Sequence, residues 1–141
     1  MTTERDNLDA DLLGEILRSV LRLPDMIVVT GPGDPVTECM VRPGRVRVDV
    51  DGAWITIESD DWHVHLGAAR IERLKFRRVP DPHDRAREAL YVSFADKEGR
   101  SLLRVHFDRS HDEAGRLLGE RLEAFETLRA RHGRFVHPDD G

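Results

Sequence analysis

The segment RVRVDVDGAWITIE, residues 45–58, constrains the fold more than any other part of the chain. Valines alternate with polar residues across residues 45–50, which is the pattern of a strand with one buried face. Asp51-Gly52 then favours a tight turn, and residues 53–58 alternate again. The segment therefore predicts an antiparallel hairpin with one apolar face and one polar face.

Further strand patterns precede and follow this hairpin. They are residues 26–30, 36–41, 62–66, 74–79, 89–95 and 101–107. The last two flank Asp96-Lys97-Glu98-Gly99, a turn sequence with glycine at its end. Strands joined by such short connections favour antiparallel pairing.

Two helices are predicted at the ends of the chain. Residues 8–22 carry leucine, isoleucine and valine at helical spacing, and Asn7 or Asp9 can cap the start. Ser110-x-x-Glu113 has the form of a capping box. It predicts a second helix that buries a stripe including Leu122 and ends at Gly133 in the left-handed conformation.

The element order predicts an α+β fold. We expect a curved antiparallel β-sheet of about seven or eight strands, flanked by an N-terminal and a C-terminal helix. Strands and helices do not alternate, so a doubly wound or barrel α/β fold is disfavoured. The 141 residues suit a single domain. Its termini, residues 1–7 and 134–141, are expected to be loose.

Charge and composition exclude several classes of function. A formal net charge of −5 disfavours nucleic acids and anionic membranes as partners. No apolar run approaches the ~18 residues of a membrane span, and the first residues do not resemble a signal peptide. A cytoplasmic protein is therefore expected. The single cysteine, Cys39, leaves neither an intrachain disulfide nor a thiolate zinc cluster.

The side chains opposite the apolar strand faces are unusual in kind. They are Arg45, Arg47, Trp54, His63, His65, Lys75, Arg77, Tyr91, Ser93, Arg104 and His106. A wetted sheet face explains the charges. Aromatic and imidazole groups mixed with guanidinium also suit a flat, apolar, anionic ligand or another protein. An open face with Trp54 and Tyr91 makes a homodimer a further expectation.

The pair His63-x-His65 can place two imidazoles near one ion. A zinc or non-haem iron site would need one or two more ligands, and the next acidic residue is Glu72. No serine stands in a G-x-S-x-G context, and Gly31-x-Gly33 does not lead into a helix. The residues alone therefore indicate an unusual open sheet face and no particular reaction.

WHVHLGAARIERLKF (residues 62–76) and LYVSFADKEGRSLLRVHF (residues 90–107) resemble haem-utilisation proteins of the HemS/ChuX/HutX type. The resemblance covers about residues 45–107. It implies a large antiparallel sheet with helices packed against it, often in a homodimer. It also implies haem as the bound cofactor. Some members of this family carry haem and others are reported to break it down.

The resemblance also implies which residues contact the haem. The iron ligand would be His63 or His65, or else Tyr91 or His106, and arginines would face the propionates. Arg104 and Arg77 are placed for the propionates, and Trp54 for the porphyrin plane. The metal ligands proposed first are His65 and His63, and no catalytic residue is assigned. The alternative is a non-catalytic interaction or homodimerisation domain without a ligand.

Overall fold

The described part of the chain folds into eight antiparallel strands and two α-helices. The structure is a computed structural model that describes residues 8–31, 35–81 and 84–133. In chain order the elements are α1 (Ala10–Leu21), β1 (Met26–Thr30), β2 (Thr37–Val41), β3 (Arg47–Asp51), β4 (Trp54–Glu58), β5 (His63–Gly67), a 3-10 turn (Ala68–Arg70), β6 (Arg73–Pro80), β7 (Glu88–Ala95), β8 (Ser101–Phe107) and α2 (Gly119–His132). The predicted α+β class, strand number and antiparallel pairing are confirmed.

The strands form two sheets, where the sequence led us to expect one. Five strands pair in the order β2-β1-β8-β7-β6, and three pair in the order β3-β4-β5. Because β1 pairs with β8, from the far end of the chain, β1 and β2 join β6, β7 and β8 in one sheet, whereas β3, β4 and β5 pair among themselves. The hairpin predicted from residues 45–58 is confirmed as β3 and β4. With β5 it forms a separate sheet.

Helix α1 covers the inner face of the three-stranded sheet. Asp9 caps its start, with Oδ1 accepting from the N–H of Leu12 at 2.8 Å. The helix contacts β3 and β4 and lies so close to β3 that a Cβ on Gly14 would stand 2.6 Å from Val50 Cγ2. Arg18 Nη2 also donates to the carbonyl of Val48 at 2.7 Å. Glycine at position 14 therefore permits this close approach.

Helix α2 begins eight residues later than the capping box predicted, since its N-cap is Leu118 and not Ser110. Ser110 is buried, and its Oγ donates to the carbonyls of Phe107 at 3.0 Å and Asp108 at 3.1 Å. The hydroxyl is thus engaged by the end of β8. The expected capping box is wrong.

A turn at residues 112–115 explains the late start. Asp112 Oδ1 accepts from the N–H groups of Ala114 and Arg116, both at 2.9 Å. Gly115 has a φ of +84°, which glycine adopts at no steric cost. The aspartate side chain thus stabilises a turn in the segment where the helix was expected.

Helix α2 packs against the five-stranded sheet. Phe125 lies with its ring centroid 5.9 Å from that of Phe76 and 5.7 Å from that of Phe107. Leu122, expected in the buried stripe, is only half-buried. Gly133 has a φ of −61°, so the left-handed ending expected there is also wrong.

Arg121 joins the start of α2 to the ends of two strands. Its side chain is buried, and Nη1 donates to the carbonyl of Pro24 at 2.7 Å. Nη2 donates to the carbonyls of Asp25 at 2.9 Å and Asp108 at 3.1 Å. One guanidinium therefore connects α2, the entry to β1 and the exit from β8.

The loose termini expected at residues 1–7 and 134–141 lie outside the described residues, as does Asn7. Within the described ranges, no helix is both long and apolar enough to cross a membrane.

Candidate functional site

The residues singled out from the sequence do not share one face. They divide between the outer faces of the two sheets. The three-stranded sheet carries Trp54, His63 and His65, and the five-stranded sheet carries Arg77, Tyr91, Arg104 and His106. The expectation of a single open face is therefore wrong, and the two groups are separate candidates for binding.

The face of the three-stranded sheet is open to solvent. Trp54 is 58% exposed and lies across from Gly67 on β5. The rings of His63 and His65 meet edge to face with centroids 5.1 Å apart, and His65 Nδ1 lies 3.0 Å from Thr56 Oγ1. No group of three or more His, Cys, Asp or Glu side chains within the described ranges could hold a metal ion. These two histidines therefore lack a third protein ligand among the described residues.

The face of the five-stranded sheet is graded in polarity. One row of paired residues crosses it from β2 to β6: Met40, Ile27, His106, Tyr91 and Arg77. The next row runs parallel to it: Glu38, Val29, Arg104, Ser93 and Lys75. The β1 positions are apolar and the β6 positions are cationic, with the imidazole and the phenol ring between them.

The middle of this face is a stack of three side chains. The rings of Tyr91 and His106 lie 4.8 Å apart at an interplanar angle of 22°. Cζ of Arg104 lies 4.7 Å from the centroid of the Tyr91 ring, within the range of a cation–π contact. Tyr91, Arg104 and His106 were predicted from the sequence as site residues, and the structure brings these three together.

Two cavities open on this face. The larger, which we call the His106 cleft, has a volume of about 880 Å³, within the usual size of a small-molecule site. Its lining includes Ile27, Val29, Ala89, Arg104, His106 and His111. The smaller, the basic cavity, has a volume of about 500 Å³, and its lining includes Lys75, Arg77, Tyr91, Arg100, Ser101 and Arg104. Arg104 lines both cavities.

His106 is electrostatically distinct. Burial, followed by the positive charge of Arg104, lowers the pKa of His106 from 6.5 to about 4, against an opposing effect of Asp81. The imidazole is therefore neutral at pH 7. A neutral imidazole keeps a nitrogen lone pair for a metal centre.

Several residues of the His106 cleft were not predicted. Ile27 and Val29 lie on a strand whose side chains were not among the predicted site residues, and both line the cleft. His111, to which no role was assigned, has Nε2 2.6 Å from the carbonyl oxygen of Glu88. It follows β8 and reaches the start of β7, because the two strands are antiparallel and these ends adjoin.

A family model matches residues 14–134, which is most of the chain. The fold is similar to that of ChuX, a heme-binding protein, with a TM-score of 0.67 and 16% sequence identity over 89% of this chain and 76% of ChuX. The chain belongs to the family of this model, and its fold is of the HemS/ChuX type. This confirms the resemblance seen in the sequence. No curated protein matches the sequence.

Two larger proteins share the fold. PhuS, a heme-binding protein from Pseudomonas aeruginosa, matches with a TM-score of 0.60 and 14% identity over 86% of this chain and 34% of PhuS. ChuS, a heme oxygenase from E. coli, matches with a TM-score of 0.60 and 17% identity over 89% of this chain and 38% of ChuS. The chain thus spans little more than a third of either protein. At these identities the likeness establishes the fold.

Proposed function

We propose that the protein is a cytoplasmic haem-binding protein of the trafficking kind that holds haem in the His106 cleft. The observation that carries the proposal is His106 itself. It is a neutral imidazole, stacked on Tyr91, in a cleft large enough for a small molecule. Imidazole nitrogen is a usual axial ligand of haem iron.

The polarity of the face fits the same ligand. Haem has a flat apolar ring and two carboxylates at one edge. Ile27 and Val29 on β1 offer apolar contact beside His106. Cations are offered by Arg104, two residues from His106 on β8, and by Arg77, beyond Tyr91 on β6. Guanidinium groups form strong charge-assisted hydrogen bonds with carboxylates. That ChuX and PhuS are heme-binding proteins of the same fold supports the proposal.

A hemin titration followed at the Soret band tests this proposal. We expect saturable binding at about one haem per chain, and His106→Ala should weaken it at least about tenfold because an iron ligand is lost. His65→Ala is the matched control on the other sheet and should bind like the wild type. If His65→Ala or His63→Ala loses binding while His106→Ala does not, the site belongs to the three-stranded sheet, with Trp54 beside it. Non-saturating absorbance changes would contradict haem binding at either face.

The pH dependence of this binding provides a second check. An ordinary histidine with a pKa near 6.5 is about nine-tenths protonated at about pH 5.5, which would weaken iron binding roughly tenfold. Because the pKa of His106 is about 4, its ligand nitrogen stays unprotonated through that range. The affinity for hemin should therefore be nearly constant between about pH 8 and pH 5.5.

The second candidate is a homodimer that forms through an open sheet face. Trp54 favours it, since this large side chain is 58% exposed. We expect light scattering to give twice the chain mass of 16.1 kDa, and Trp54→Ala to shift the mass toward the monomer. A wild-type mass of one chain at tens of micromolar would remove this candidate.

A further inference from the structure

Two serines under Arg104 form an unusual contact. Ser93 is fully buried although it lies on the outer face of β7, and its Oγ is 2.5 Å from Oγ of Ser101. Ser101 Oγ in turn accepts from Nε of Arg104 at 3.2 Å. A buried hydroxyl is costly unless it is hydrogen-bonded. The contact gives the buried Ser93 hydroxyl a hydrogen-bond partner. Ser101 Oγ can still accept a hydrogen bond from Arg104.

A β-bulge makes this contact possible. Ser101 and Arg104 are three residues apart on β8, and in a regular strand their side chains would point to opposite faces. The pairing of β7 with β8 shifts register here, because Phe94 pairs with Leu103 while Ala95 pairs with Ser101. The extra residue turns Ser101 to the side of Arg104. Bulges of this kind often re-aim a side chain beside a binding site.

The guanidinium of Arg104 is held from two directions. Ser101 holds Nε, and the Tyr91 ring lies beneath Cζ. The ion pairs found among the described residues do not include Arg104. Arg104 lines both the His106 cleft and the basic cavity, so these two contacts restrain the guanidinium at the boundary between them.

We infer that the Ser93–Ser101 hydroxyl pair positions Arg104 to receive a carboxylate of the ligand in the His106 cleft. The carboxylate part rests on the proposed function, whereas the positioning of Arg104 does not. An arginine fixed before binding loses less conformational freedom when the ligand arrives. Ser93 and Ser101 are thus positioning residues, and Arg104 contacts the ligand.

The positioning is tested on the protein without ligand. In nitrogen–proton correlation spectra, Arg104 should show a resolved Nε–H signal, assigned by its absence in Arg104→Lys. Ser101→Ala should abolish or broaden that signal, and Ser101→Thr, which restores a hydroxyl, should recover it. Ser93→Ala removes the buried hydroxyl of the pair and should also weaken the Arg104 signal. It provides a second test of the inference if Ser101→Ala folds poorly. An unchanged signal in both alanine variants would overturn the inference.

The carboxylate part is tested with hemin and its dimethyl ester. Ser101→Ala should bind hemin about three- to tenfold more weakly than the wild type, and the ester should bind both proteins alike. An equal loss for hemin and ester would mean that the serine has only a structural role and would overturn this part. If the wild type does not bind hemin, the proposed function fails, while the spectra still decide whether Arg104 is positioned.

Discussion

Replacing Arg121 by alanine should lower the free energy of unfolding by roughly 1.5–3 kcal/mol, because a buried charged donor and its hydrogen bonds to three backbone carbonyls are lost together. The side chain is only 6% exposed. It donates to the carbonyls of Pro24, Asp25 and Asp108, and its Nε lies 3.3 Å from Ser110 Oγ. Pro24 and Asp25 are exposed residues whose carbonyls water can reach after the change, whereas Ser110 is buried. Burial lowers the pKa of Arg121, whereas Asp25 and Asp108 raise it.

Urea unfolding measures this effect. Arg129→Ala on the same helix is the matched control, since Arg129 is exposed, and it should change the stability by less than about 0.5 kcal/mol. Arg121→Lys keeps the charge but lacks the planar fork of donors, so it should fall between the wild type and alanine. Equal midpoints for Arg121→Ala and Arg129→Ala would show that the buried contacts contribute nothing.

Phe125→Ala should cost about 3–5 kcal/mol, the usual range for removing a large aromatic side chain from a core. Phe125 is 2% exposed and lies between Phe76 and Phe107, so its loss leaves a cavity between α2 and the five-stranded sheet. Leu122→Ala is the control, since Leu122 is half-buried and should cost about 1–2 kcal/mol. Urea midpoints at constant m-value separate the two. A larger loss for Leu122→Ala would reverse the assignment of the helix face.

The local elements followed from the sequence, whereas their assembly did not. Alternation located β3, β4 and β5, since a strand with one buried face leaves a period of two in the sequence. No local pattern reports that β1 pairs with β8, because that pairing joins segments far apart in the chain. This pairing joins β1 and β2 to β6, β7 and β8, whereas β3, β4 and β5 form a sheet of their own. It could not be predicted from period and turn signals.

The start of α2 was mispredicted although the sequence held a usable signal. Asp112-Glu-Ala-Gly-Arg repeats the form of Asp96-Lys-Glu-Gly-Arg. In both segments the aspartate accepts from the N–H groups two and four residues later, and the glycine has a positive φ. The earlier segment was correctly interpreted as a turn. The same interpretation of the later one would have excluded a helix from Ser110.

The sequence predicted which residue types lie on the polar strand faces, but not which of those residues lie on the same sheet. Alternation placed Tyr91, Arg104 and His106 away from the apolar face, and the structure brings them together. It also placed His63 and His65 on a polar face, but on that of the other sheet. A period of two reports the side of a strand and does not report which sheet contains that strand.

The guanidinium of Arg121 also has a consequence for motion. Its acceptors include Asp108, which lines the His106 cleft, as well as the residues that lead into β1. We therefore expect the cleft wall at residues 108–111 and the first turn of α2 to unfold locally as one cooperative unit. Fluctuations that detach α2 from the sheet would then also open the cleft. If the cleft holds a ligand, its escape would depend on how firmly a helix on the opposite face of the sheet is docked.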